Sequence, residues 1–216
     1  MVAPANSAVS TAHPLDPLST GEINAVTSIL RRDRGVDENW RYASIELREP
    51  AKSVVRDFQA GTAIARAARV VCWSRTEATT FKSVVSITDD TVTSWDLVPG
   101  EQPNMTVDEW HEAHEMLITQ PEVVAILAAR GITDLDLVLM DTWAYGHALI
   151  PADLQGRRLG WTDTWYRDTP NGNPYANPVN GLHLVVDLNS MELVRIEDSF
   201  RVTKPTATMG EYIPGL

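Results

Sequence analysis

Cysteine occurs once in this chain of 216 residues, at Cys72, so no intrachain disulfide can form and no cysteine-built zinc site exists. A reducing setting, and with it a cytoplasmic location, is the expectation. Long apolar runs are missing as well. No stretch approaches the roughly 20 residues of a membrane span, and residues 1–18 lack the basic start and unbroken apolar segment of a secretory signal. The Ala, Ser, Thr and Pro of residues 1–13 read as a flexible tail. Positive charge is in deficit: 18 Lys and Arg against 29 Asp and Glu leave a net charge of -11. That balance argues against a nucleic-acid partner and against docking on an anionic membrane, and it favours a cation as ligand, although a merely solubilising surface has the same balance. Gly-x-Ser-x-Gly, the P-loop and Gly-x-Gly-x-x-Gly are all absent, so neither a nucleophile elbow nor a phosphate cradle has support.

What is present is enough apolar material, 44% of residues, to build one large core or two small ones. Two segments follow the same plan. The first opens at Ser19-Thr20-Gly21-Glu22, a capped start with an acid in the first turn. Ile23, Val26, Ile29 and Leu30 follow at helical spacing, with Arg31, Arg32 and Arg34 at the C-terminal end. The second opens at Thr106-Val107-Asp108-Glu109, a capping-box pattern, and places Trp110, Ala113, Met116 and Leu117 on one face. Gln120-Pro121 stops it, and a further helix is predicted over Glu122 to Arg130, closed by Gly131.

Each segment ends in a predicted hairpin. Val84 to Thr88 turns through Asp89-Asp90 into Thr91 to Leu97, and Leu184 to Leu188 turns through Asn189-Ser190 into Glu192 to Glu197. Val85, Ile87, Val92 and Trp95 match Val186, Leu188, Leu193 and Ile196 at a constant offset of 101 residues, the mark of a duplicated α+β unit. Trp40 to Arg48 and Ala65 to Arg75 are further strand candidates in the first copy, and Leu135 to Tyr145 and Arg158 to Arg167 in the second. The turn-rich run Val98 to Asn104 separates two tandem domains, 14–100 and 104–205, each a helix packed on a twisted antiparallel sheet. Seven tryptophans point to sheet faces that meet other protein surfaces or to a domain core.

Two constellations carry possible chemistry. Trp110-His111-Glu112-Ala113-His114-Glu115 resembles a zinc-protease helix but spaces its histidines three apart instead of four, so a solvated helix face is favoured over a metal pair. Asp134 and Asp136 fall on the polar side of the predicted strand, opposite Leu135, Leu137 and Leu139, and read as solvated carboxylates. Asp141 is less easily dismissed, because Asp141-Thr142-Trp143-Ala144-Tyr145-Gly146 leaves that strand toward a loop.

The stretch Thr169-Pro170-Asn171-Gly172-Asn173-Pro174-Tyr175-Ala176-Asn177-Pro178-Val179-Asn180-Gly181 fixes its own backbone with three prolines and holds Tyr175 in its middle. It resembles a loop of copper amine oxidases, of the form aromatic-Ala-[His/Asn]-Pro-Val-[Asp/Asn]-Gly. The resemblance extends from His13-Pro14-Leu15-Asp16-Pro17-Leu18-Ser19-Thr20-Gly21-Glu22-Ile23 through Leu47-Arg48-Glu49-Pro50-Ala51-Lys52 to Asp198, nearly the whole chain. It implies two small, cystatin-like α+β domains that precede a catalytic β-sandwich, with 206–216 as the linker toward that missing domain. In that family a copper ion and a topaquinone oxidise a primary amine to an aldehyde, releasing ammonia and hydrogen peroxide. The tyrosine of an Asn-Tyr-[Asp/Glu] motif and a His-x-His copper pair are not found here, so no catalytic or metal-binding residue is assigned. The resemblance implies instead a role in shaping the substrate channel, carried by Trp110, Met140, Asp141, Thr142, Trp143 and Tyr175. It also implies the catalytic domain of the same enzyme and a small primary amine as partners, and a homodimer for the full-length protein. A free-standing binding module with the same accessory fold and no activity is the alternative.

Overall fold

Ser19 starts the first helix because its side chain supplies what the free helix end lacks. In the computed structural model, which describes residues 13–146 and 150–202, Ser19 Oγ accepts the Glu22 N–H at 3.3 Å and Glu22 returns a carboxylate oxygen to the Ser19 N–H at 2.8 Å. The resulting helix α1 spans Thr20–Arg34 and ends at Gly35, whose φ of 67° suits a residue without a Cβ. It buries Val26, Ile29 and Leu30. The sheet beneath it consists of β1 (Trp40–Leu47), β2 (Ala67–Ser74), β3 (Thr79–Ser86) and β4 (Thr91–Val98), antiparallel in the order β1-β2-β3-β4. Between β1 and β2 a short helix, α2 (Lys52–Arg56), has no counterpart in the sequence expectations. Val26, Ile29 and Leu30 close on Ala68, Val70 and Val85 to make the core of this unit.

The chain divides into two compact units, the second starting at Met105. There Thr106 and Glu109 form the same reciprocal cap for α3 (Val107–Leu117), and Pro121 opens α4 (Pro121–Ala129). The second sheet has the order β5-β6-β7-β8, from β5 (Val138–Ala144), β6 (Leu159–Tyr166), β7 (Asn177–Asp187) and β8 (Glu192–Asp198). Ala113, Leu117, Val123 and Leu127 of the helices pack on Val138, Met140, Leu184 and Val186, so both helices cover one face and leave the other uncovered by them.

The duplication is visible in detail. In the hairpin of the first unit Val85 pairs with Val92, with a register shift between Val84 and Val85. In the second, Val186 pairs with Leu193, with the shift between Val185 and Val186, the same place at the 101-residue offset. The caps are duplicated too. Arg66, just before β2, donates from Nε to Glu22 Oε1 at 2.7 Å, and Arg158, just before β6, donates from Nε to Glu109 Oε1 at 2.7 Å and from a terminal nitrogen to Oε2 at 2.8 Å. Arg66 also donates to the Asp16 and Pro17 carbonyls, tying the Pro-rich lead-in to its helix.

The bonds from Arg66 hold the Glu22 carboxyl down at about 2, against an ordinary value of 4.5. A carboxyl whose pKa is lower folded than unfolded adds stability above its unfolded pKa and loses it as pH falls. Urea midpoints are therefore expected to drop between about pH 5 and pH 2, and Glu22→Gln should flatten part of that drop. An unchanged slope in the variant would dissociate Glu22 from acid sensitivity.

Three sequence expectations need correction. Asp134 and Asp136 do not lie on a strand: Asp134 accepts the Asp136 N–H at 3.2 Å and caps a one-turn helix at Leu135–Leu137, so β5 begins only at Val138. β7 begins inside the Pro-rich segment, at Asn177. Pro178 fits because β7 pairs there with β6 alone, while its pairing to β8 starts at Leu182. β3 starts at Thr79, five residues before the predicted Val84. The expected tail and linker lie almost wholly outside the described residues. Among the described residues no helix is long and apolar enough to cross a membrane.

Candidate functional site

β5 is an edge strand, and alternation along it sends successive side chains to opposite faces. Val138, Met140 and Thr142 face the helices: Met140 and Thr142 are both 0% exposed, and the Thr142 hydroxyl meets the Thr162 hydroxyl at 2.7 Å. Met140 and Thr142 therefore cannot line a surface, contrary to the expectation that 140–143 form one wall. Asp141 and Trp143 take the open face. Asp141 is nonetheless only 5% exposed, because two indoles close over it: Trp143 Nε1 donates to Oδ2 at 3.0 Å and Trp110 Nε1, reaching round the sheet edge from α3, donates to Oδ1 at 3.1 Å. Trp143 itself is 62% exposed.

Tyr175 joins the same face. Its loop is built from turns in which Gly172 N–H bonds Thr169 O, Ala176 N–H bonds Asn173 O, and Asn173 Oδ1 accepts the Tyr175 N–H. Asn177, buried at the loop's base, donates to the Tyr166 carbonyl. Tyr175 meets the Trp165 ring edge-on at 5.5 Å and stays 48% exposed. Burial and then the charge of Asp141 push its phenol above the ordinary range.

Four residues of this face, Trp161, Asp163, Trp165 and His183, escaped the sequence reading. Asp163 lies directly across from Asp141 and contacts His183 Nδ1 at 2.9 Å, and the His183 ring stacks on Trp161 at 4.7 Å. The signal was the alternation of Trp161, Asp163 and Trp165 with Gly160, Thr162 and Thr164 along β6. At the far end of the face, Leu154 folds onto Leu159 and Val185 and covers it. The uncovered part of the face thus carries Trp143, opposite Trp161, and Trp165 with Tyr175 further along, and the paired carboxylates Asp141 and Asp163 lie between those two levels. Such a surface attracts a cation through ring quadrupoles and Coulomb force together.

His114, expected on a solvated helix face, is half-buried, and its Nδ1 accepts the Met140 backbone N–H at 3.2 Å. His111 is exposed, and its ring lies edge-on to Trp110. Among the described residues no group of three or more His, Cys, Asp or Glu side chains is placed to hold a metal ion.

Comparison with known proteins gives a consistent result. The family description "AGAO-like N2 domain" matches residues 19–95, and "Copper amine oxidase, N3 domain" matches residues 108–215. A primary amine oxidase of Arthrobacter sp. (strain P1) is 40% identical over 95% of this chain and 31% of its own length. A peroxisomal copper-containing diamine oxidase of Nicotiana tabacum is 30% identical over 91% of this chain and 30% of its own. The crystal structure of a copper-containing benzylamine oxidase from Hansenula polymorpha shares the fold, with a TM-score of 0.73 at 19% identity over 95% of this chain and 34% of that one. The chain therefore spans about a third of the length of the relatives it matches. With both matches in the order read from the sequence, the chain belongs to the copper amine oxidase family and carries its N2 and N3 domains.

Proposed function

We propose that this chain is the accessory N-terminal portion of a primary-amine oxidase and that the open face of its second sheet forms one wall of the route taken by the amine. The observation that carries the reading is the Asp141 carboxylate held between the Trp110 and Trp143 indole N–H groups, on a face that also presents the Tyr175 ring packed edge-on against Trp165. A protonated amine passing this face meets ring surfaces backed by fixed negative charge, and the loop of Tyr175 needs little ordering to present its ring. Copper and topaquinone, which in the complete enzyme turn amine, oxygen and water into aldehyde, ammonia and hydrogen peroxide, belong in this reading to the rest of the longer protein. Homodimerisation and a cytoplasmic setting are part of the same proposal.

Two measurements test it. The chain alone should release no hydrogen peroxide from a panel of primary amines, with or without added copper. In the full-length protein, Trp143→Ala and Tyr175→Ala should each shift the ratio of kcat/KM between amines by about tenfold, the scale of an aromatic contact with a cation, while quinone absorbance and copper content stay at wild-type levels. An equal loss for every amine, or a loss of quinone, would remove these side chains from the route.

A further inference from the structure

We propose that His114 is a positioning residue for the Asp141 site, holding edge strand β5 in place only while its imidazole is neutral. The inference rests on the channel-wall reading for its consequence, but its geometry is independent of that reading. Two residues one helical turn apart on α3 grip two consecutive residues of β5. His114 Nδ1 accepts the Met140 N–H, and Trp110 Nε1 donates to Asp141. The two grips are joined, because the Trp110 and His114 rings lie nearly parallel, with centroids 6.3 Å apart and planes 12° apart.

The Met140 amide can only donate, so the bond requires a bare Nδ1 lone pair and places the ring proton on Nε2. A second proton on the ring would set a donor against a donor and cancel the grip. Burial holds His114 below the ordinary histidine range. Among its charged neighbours, Glu115 on the same helix favours the charged form, while His111 on that helix and Arg167, at the end of β6, oppose it. Asp141 of β5 accepts from the Trp110 indole, whose ring is stacked on His114. The sign follows: a histidine with a depressed folded pKa contributes its full hold above about pH 6.5 and loses it as pH falls through the folded value. On acidification the Met140 edge is released and Trp110 loses its stacking partner's fixed position, so Asp141 becomes less constrained.

The experiment uses the full chain and no amine, so its outcome is separate from that of the channel reading. Nitrogen-15 spectra should show the Nε2–H tautomer for His114 at pH 7.5. Protection of the Met140 amide, corrected for intrinsic exchange, should fall about tenfold as His114 titrates, the scale of one net hydrogen bond, and the Trp110 indole N–H resonance should move with it. His114→Asn, whose Oδ1 stands near the Nδ1 position and does not titrate, should keep the protection at acid pH, whereas His114→Ala should lack it at every pH. A proton on Nδ1 at pH 7.5 would overturn the proposal. So would Met140 protection that ignores the titration, or the same pH dependence in His114→Asn.

Discussion

Replacing Arg158 with alanine is expected to destabilise the second unit by about 3–5 kcal/mol, the cost of leaving a buried charge without its partner. Glu109 is 0% exposed, and its two oxygens accept from Arg158, from the Thr106 backbone and from the Thr106 hydroxyl. Burial works to push the Glu109 carboxyl up, but the bonds from Arg158 and Thr106 outweigh it and the net shift is downward. Without Arg158 the carboxyl must take up a proton or stay charged in an apolar site, and the cap of α3 weakens in either case. Hydrogen exchange of the β6 and β7 amides against urea reads the effect on this unit directly. Restoring most of the loss by adding Glu109→Gln would show that the uncompensated charge is the cause. A change below about 1 kcal/mol would mean that the pair holds nothing that water could not.

The second large effect separates neighbours. Met140→Ala removes a wholly buried side chain from a core shared with α3 and should cost about 2–5 kcal/mol. Trp143→Ala, three residues along the same strand and on the other face, should cost less than about 1 kcal/mol. Its ring is mostly exposed, and water can take over its bond to Asp141. Urea unfolding of the two variants under one condition makes the comparison. Equal costs would contradict the assignment of these residues to opposite faces.

The contrast also marks where sequence reading worked and where it stopped. Ser19 and Thr106 were legible because a cap is local: the cap residue and the glutamate three positions on make the whole motif. The strands of both hairpins were legible from apolar pairs repeated at one offset. Grouping Met140 and Thr142 with Asp141 failed because adjacency along a strand is opposition across it. Asp134 and Asp136 fitted an alternating pattern, yet a side-chain bond to the backbone over two residues won locally. Asp141 could be singled out, and alternation puts Trp143, two residues on, on its face, but its other indole partner, Trp110, comes from a helix 31 residues earlier, and no spacing rule encodes that meeting. The role of His114 was hidden for the same reason, since its partner is a backbone amide that only the packing of α3 on β5 brings near.

An edge strand is also a hazard, since its unpaired amides can recruit a strand from another molecule and start aggregation. β5 is such an edge, and the Met140 amide in its middle is already taken by His114, with the Trp110 ring lying over that imidazole. An incoming strand would have to break that bond and displace an indole before it could add itself to the sheet. The helix that positions the candidate site thus acts as a guard on the sheet's exposed margin, and colloidal stability and site geometry depend on the same two side chains.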